Sequence, residues 1–232
     1  MTLTATRGAL DLDPSRAAAA QVFERLRDMI ISLELPPGSV INRQSLQAQF
    51  GLSSTPVRDA LTRLSEEGLV EIYPQSATRV SLIDVTKARQ AQFLRRAVEQ
   101  EAVRILCAAP EKEFVPELRA IIVDQRQAAE RLDFTVFYAL DRDFHRRLYE
   151  AAGAPDLFTL VRQRSGHIDR IRRINLPVAG KMQQIMRDHG LIVKAIAAGD
   201  AAKAQLHVRD HLSRSLAYSQ ALRDKHPTYF TG

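Results

Sequence analysis

The sequence predicts a mostly α-helical chain in two parts, and three observations carry that reading. Apolar residues recur at helical spacing through most of the 232 residues. One stretch only, Leu69–Leu82, alternates in the manner of paired strands. Everything beyond Asp84 reads as consecutive amphipathic helices separated by short breaks.

Taken in order, residues 1–14 have no period and are expected to form an N-terminal arm. From Ala17 to Leu35, apolar Val22, Phe23, Leu26, Met29, Ile30 and Leu33 fall on one helical face, and Pro36-Pro37-Gly38 stops the helix. Asn42 suits the cap of a second helix with Leu46 and Phe50 inward, and Gly51 suits its left-handed end. Thr55-Pro56 reads as the cap and first position of a third helix, with Val57, Ala60, Leu61 and Leu64 inward. Leu69–Tyr73 and Thr78–Leu82, joined by Pro74-Gln75-Ser76-Ala77, make a hairpin wing. Helix, helix, turn, helix and hairpin together specify a winged helix-turn-helix over 15–83. Six helices are expected after it, at about 84–109, 111–132, 134–152, 155–176, 180–198 and 200–224, as an all-α bundle within 84–232.

Composition narrows the class. Apolar residues at 45% and charged residues at 26% are those of a soluble globular chain large enough to fold without covalent staples. No 18-residue apolar run and no leader pattern is present, so a cytoplasmic protein without membrane contact is expected. The single Cys107, inside the apolar run Val103–Ala109, reads as a structural buried residue. The net charge of +6 invites a nucleic-acid partner, yet residues 1–83 hold eight Lys/Arg against nine Asp/Glu. DNA binding by the first part must therefore rest on the placement of a few arginines.

In a helix-turn-helix the start of the recognition helix enters the major groove. That start holds Ser53, Ser54, Thr55 and Arg58. Arginine can donate two hydrogen bonds to guanine, so Arg58 is the first choice for base reading, with Ser53 and Thr55 on phosphates or bases. Arg43 and Arg63 are candidates for backbone contacts; singly, each of the three arginines could equally be a solvated helix face. Leu35-Pro36-Pro37-Gly38, then Gly51-Leu52-Ser53-Ser54-Thr55-Pro56-Val57-Arg58-Asp59-Ala60-Leu61, then Leu64 with Glu67-Gly68-Leu69-Val70 resemble the GntR family of bacterial transcription regulators. The resemblance implies a DNA operator as partner. Two departures accompany it: Ser54 where members commonly carry arginine, and Ala77 where they carry a wing-tip glycine.

The bundle carries the second constellation. On its third helix Phe134, Phe137, Tyr138, Phe144, Leu148 and Ala152 form one stripe, and Asp141 and His145 lie on it four residues apart. The fifth helix places His189 on the stripe Met182, Ile185, Ile192, Ile196, and the sixth places His211 on Ala204, Val208, Ser215, Tyr218; His207 faces away. One inward histidine is ordinarily a hydrogen-bonded core residue. Three beside an aspartate are better explained by a divalent cation, because a buried carboxylate needs compensation that neutral imidazoles alone do not give. The donor set suits Zn, Ni, Mn, Fe or Co and does not choose among them. An octahedral ion with four protein ligands would keep two positions for water or an acidic small molecule.

Asp141-x3-His145, His189 in Arg-Asp-His-Gly-Leu-Ile and His211 in Val-Arg-Asp-His-Leu resemble the metal-binding form of the FCD effector domain, which accompanies the FadR subfamily of GntR regulators. The resemblance, over about 84–222, implies a helical bundle, a homodimer and a pocket for a carboxylate metabolite. Arg95 interrupts the stripe Ala91, Val98, Ala102, Ile105 and could hold that anion, or could pair with Glu99 one turn on; Arg164 falls similarly among Leu157, Val161, Ile168 and Ile171. The rest of the basic run Arg162–Arg173 reads as a solvated or interface face. The function expected is therefore a ligand-responsive DNA-binding regulator, a repressor more than an activator, dimeric on a two-fold operator. A metal-dependent enzyme on the bundle and a metal-only sensor are the rivals, the first lacking a general base and leaving the DNA-reading half unexplained.

Overall fold

A computed structural model of the chain describes residues 12–73 and 77–231. Most of the expected N-terminal arm and the wing tip Pro74–Ser76 lie outside these residues. The fold class is the one the sequence predicts. The chain forms two compact units, one reaching to Val85 and rejoined by the residues from Arg223 onward, the other Thr86–Leu222.

The first unit is built on α1 (Ala18–Ile31), α2 (Arg43–Phe50) and α3 (Ser54–Glu66). Asn42 caps α2 by accepting from the Ser45 amide at 3.0 Å, and Gly51 ends it at φ 65°. Two boundaries differ from expectation. α1 stops at Ile31 because Leu33 adopts a left-handed φ of 67°, which lets the Leu35 amide donate back to the Met29 carbonyl at 3.0 Å. α3 begins at Ser54, so Ser53 occupies the cap position and Thr55 is already helical. Val22, Leu26, Ile30, Leu46, Phe50, Val57, Leu61 and Leu64 are buried, each worth about 1.5–3 kcal/mol of transfer from water. A largely buried Arg27–Glu67 ion pair at 2.9 Å ties α1 to the end of α3.

The wing has one strand more than expected. β2 (Val70–Ile72) and β3 (Thr78–Val80) pair antiparallel, and β1 (Val40–Ile41) adds to the other side of β3, giving the order β1-β3-β2. The C-terminal end returns to this unit. Phe230 bridges Ile83 in parallel, with the Ile83 amide donating to the Tyr229 carbonyl at 2.8 Å and the Thr231 amide to the Ile83 carbonyl at 3.1 Å. The expected second domain, running to 232, thus gives up its last residues from Arg223, since those two backbone bonds and buried Phe230 hold them to the first unit.

The second unit holds α4 (Val85–Ala108), α5 (Phe114–Glu130), α6 (Phe134–Ala151), α7 (Pro155–Arg164), α8 (Gly166–Asn175), α9 (Lys181–Ala197) and α10 (Ala201–Ser213); a 3-10 turn, Arg214–Leu216, leads to α11 (Ser219–Lys225). Two expected long helices are broken. At Ser165, where α7 ends and α8 begins, the hydroxyl lies 2.5 Å from Asp169 Oδ2 and 2.9 Å from the Arg162 carbonyl, its one proton shared between these acceptors. The other break falls at Arg214. Two apolar clusters among the described residues frame the site. One gathers Val103, Leu106, Leu118, Phe144, Leu148, Ile192, Ile196, Val208 and Leu212; the other gathers Ala128, Ala129, Phe137, Leu176 and Met182. Between these clusters the buried residue on α6 is Asp141, and those on α9 are Asp188 and His189. Cys107 is buried and free, as a structural cysteine would be. Among the described residues no helix is long and apolar enough to cross a membrane.

Candidate metal centre and nucleic-acid interface

At the start of α3, Ser53, Ser54, Thr55 and Arg58 are all exposed. The Ser53 hydroxyl makes no cap bond, and the Arg58 side chain, 70% exposed, meets only Asp59 at 3.8 Å. The other two arginines expected at DNA are held differently. Arg43 donates to Thr78 Oγ1 at 3.0 Å, joining α2 to the wing, and Arg63 lies over the Phe23 ring at 4.1 Å. Ala77 closes the described part of the wing, its carbonyl accepting from the Tyr73 amide at 3.0 Å. Arg79, exposed on β3, is a further cation on this hairpin that the sequence pattern did not single out.

In the bundle, Asp141, His145, His189 and His211 are buried together, with one donor atom of each within 4.8 Å of all the others. The outer nitrogens explain the arrangement. His145 Nδ1 meets Glu99 Oε2 at 2.8 Å, His189 Nδ1 meets Gln125 Oε1 at 3.0 Å, and His211 Nδ1 meets Asp188 Oδ2 at 3.3 Å. Carboxylate and amide oxygens only accept, so each Nδ1 carries the proton and each Nε2 turns a lone pair inward. His145 Nε2 and His211 Nε2 face each other at 3.3 Å. His189 Nε2 and Asp141 Oδ1, 3.7 Å apart, are buried without hydrogen-bond partners. In neutral rings, lone pairs facing lone pairs with a buried orphan oxygen beside them fit a bound cation.

Electrostatics support the same protonation states. Burial pushes the His145 imidazole down to about 4, with Arg95 adding to the effect against the opposing pull of Glu99. His189 is held well below its ordinary value by burial and by His211. Burial alone would raise Glu99 and Asp141, but Arg95 and His145 bring Glu99 down to about 2, and Arg172 with the histidines holds Asp141 below the usual carboxylate range. Asp141, His145 and His189 are thus held in the deprotonated form that metal binding needs. In chelator-stripped protein this has a pH consequence. The unfolded chain takes up the His145 proton near 6.5 and the folded unit only near 4, so the unfolded state binds more protons in between. The contribution of neutral His145 to stability is fully present above 6.5 and is lost as the pH falls through that window. A melting temperature that stayed flat there would contradict a neutral buried His145.

The two arginines expected at an effector part company. Arg95 is buried and donates from Nε to Glu99 Oε1 at 2.6 Å, so it takes the intrahelical alternative. Arg164 is exposed at the last turn of α7, because the break at Ser165 cancels the phase that placed it inward. Arg172, Lys181 and Arg214 are the cations that line a cavity of ≈ 30 Å³ beside Asp141 and His211, together with apolar Phe137, Leu176 and Ile185. Part of the basic run read as solvated is therefore inside: Arg170 is wholly buried and Arg172 pairs with Asp141. Helix phase across an unforeseen break hid Arg172. Asp188 was legible in principle, since it stands one turn from both Ile185 and Ile192. Glu99→Gln should cost roughly 3–5 kcal/mol in urea unfolding of the second unit, because Arg95 would remain buried without a counter-charge. A loss below about 1 kcal/mol, the worth of a surface pair, would remove Glu99 from this role.

Comparison with known proteins agrees with both halves. Residues 18–80 match the bacterial regulatory proteins of the gntR family, and residues 90–214 match the FCD domain. An HTH-type transcriptional regulator in an unstable DNA locus of Streptomyces ambofaciens is 34% identical over 93% of this chain and 90% of its own length. The HTH-type transcriptional repressor RspR of Escherichia coli is 24% identical over 95% of this chain and 96% of its own. The solved structure of Escherichia coli McbR/YncC shares the fold with a TM-score of 0.77 at 21% identity, over 89% of this chain and 99% of that one. The Streptomyces and Escherichia coli relatives are described as a transcriptional regulator and a transcriptional repressor. A gntR-type helix-turn-helix followed by an FCD domain places the chain among the bacterial GntR-family transcriptional regulators.

Proposed function

We propose that this regulator is a cytoplasmic, homodimeric repressor whose FCD domain holds a divalent metal through Asp141, His145, His189 and His211 and answers to a small carboxylate. The observation that carries the metal is the commitment of all three Nδ1 atoms to outer acceptors, which leaves three Nε2 lone pairs and Asp141 Oδ1 converging. Glu99, Gln125 and Asp188 fix the ring orientations. A bound metal would supply Lewis-acid positions for an oxygen ligand.

The effector class follows from the cavity walls. Arg172, Lys181 and Arg214 give three cations against Asp141 and Asp188, and the apolar wall of Phe137, Leu176 and Ile185 suits a short carbon chain. A cavity of ≈ 30 Å³, at about 10–15 Å³ for each water it can admit, has room for two or so waters, so an organic acid must move side chains to enter. Arg214, 42% exposed at the 3-10 turn, is the side chain best able to give way. Arg95, paired with Glu99, supports the site from behind and leaves effector contact to these three.

The DNA-reading half supports a repressor acting by occupancy of an operator, in keeping with the Escherichia coli relative's activity. Ser53, Ser54, Thr55 and Arg58 are proposed to enter the major groove, with Arg43 and Arg63 nearer the backbone. Two-fold symmetry doubles the contacts that one short helix can make. Operator affinity titrated with metal, then with metal plus acetate, succinate or citrate, tests the whole. Affinity that responds to the acids only on metal-loaded protein is expected. A response to metal that no acid alters would favour a metal-only sensor, and no response to either would end the proposal.

A further inference from the structure

Three buried or half-buried guanidiniums surround the four donor side chains, and each has a carboxylate. Arg95 is matched to Glu99 at 2.6 Å, and Arg214 to Asp188 at 2.6 and 2.7 Å. Arg172 is matched to Asp141 Oδ2, with Asp169 as a looser second partner at 3.4 Å. Asp141 alone among these carboxylates is also one of the four converging donors. Its other oxygen, Oδ1, turns toward His189 Nε2. Arg172 comes from α8, a helix that offers none of the four, and it forms part of the cavity wall.

We infer that Arg172 is a placeholder cation: it neutralises Asp141 while the metal site is unfilled, opposes metal entry by its charge, and is turned to the anion once the metal is held, so that metal and carboxylate bind cooperatively. The inference rests on the metal reading above and adds how the two ligands are coupled. A buried carboxylate without a counter-ion is costly, and a guanidinium that cannot lose its proton supplies one. When Asp141 Oδ1 is given to a dication, Arg95 and Arg214 keep whole carboxylates of their own, whereas Arg172 keeps Oδ2 of a carboxylate whose charge the metal now shares, and Asp169 at 3.4 Å. It is then a cation one carboxylate away from another cation. Even at the dielectric of water, a unit charge a few ångströms from a dication lowers its binding constant by about tenfold. An anion in the cavity beside Arg172 removes that penalty, and by linkage the metal tightens the anion by the same factor.

Zinc affinity of the full chain, measured by competition with a chromogenic chelator, decides it. Arg172→Gln is expected to bind zinc about tenfold tighter than the parent, and Arg172→Lys, which keeps the charge, to stay near it. Sodium succinate at constant ionic strength should tighten zinc in the parent and have no such effect in Arg172→Gln. Zinc binding that is weaker or unchanged in Arg172→Gln would make Arg172 an orienter of the carboxylate and overturn the inference. So would a succinate effect that persists without the arginine. If Arg172→Gln does not fold, the parent still decides, because zinc affinity indifferent to succinate excludes the coupling. Failure of the parent to bind zinc at all would instead overturn the metal reading beneath it.

Discussion

His189→Ala is expected to abolish stoichiometric metal binding while leaving the first unit folded and able to bind DNA. His189 is wholly buried, its Nδ1 is spent on Gln125, and its Nε2 has no partner other than what the donor cluster would hold. Loss of a mere outer partner costs a metal site roughly 10–100-fold in affinity, so loss of a ligand should exceed that. The ring also stacks on Phe144 at 3.8 Å, so the substitution opens a cavity and should lower the melting temperature of the second unit. Elemental analysis of purified protein separates the two effects, with His211→Ala as a second variant that leaves this stack untouched. Full metal occupancy in both variants would remove the imidazole cluster as the binding site. A Gln125→Ala variant ranks the outer shell: metal weakened within the 10–100-fold range is expected, since only the ring's orientation is lost.

The sequence made the donor set legible for a simple reason. Asp141, His145, His189 and His211 lie inside unbroken helices, where a 3.6-residue period converts position into direction over several turns. The same rule failed wherever a helix broke. Arg164 was placed inward by carrying one phase through 155–176, yet Ser165 and Gly166 restart the chain, and Arg172, eight residues on, takes the inward place. Arg95 was a balanced choice, because its position on the stripe fits a cavity wall and a pair with Glu99 equally; only distance separates these. The third wing strand, Val40–Ile41, was missed since two residues give no alternation to read. The return of Phe230 to Ile83 was missed because a single bridge between residues far apart in the chain leaves no local pattern. Outer-shell partners were the least legible of all. Asp188 stands at a core-facing spacing on α9, yet what it and Gln125 do is set by what they touch on other helices, the His211 and His189 rings.

Arg58→Ala should lose about 1–3 kcal/mol of specific operator binding and leave the fold intact. The side chain is 70% exposed and its one ionic neighbour, Asp59, stands 3.8 Å away, a surface pair worth little to stability. It lies on α3 one turn after Ser54, where a guanidinium can meet a guanine edge once the helix enters the major groove. The contrast is Arg63, which packs over the Phe23 ring at 4.1 Å. Arg63→Ala should cost roughly 0.5–1 kcal/mol of stability through the lost ring contact and leave sequence preference alone. The operator is obtained by selecting binders from a random duplex pool with the parent protein, and both variants are then titrated on the selected site and on single-base changes within it. A base reader loses discrimination at one position. A phosphate contact weakens all sequences alike and lowers the salt dependence by about one counter-ion. Uniform weakening by Arg58→Ala would move this residue to the backbone and leave Ser53, Ser54 and Thr55 as the readers, a surface with no arginine and correspondingly weak guanine selectivity.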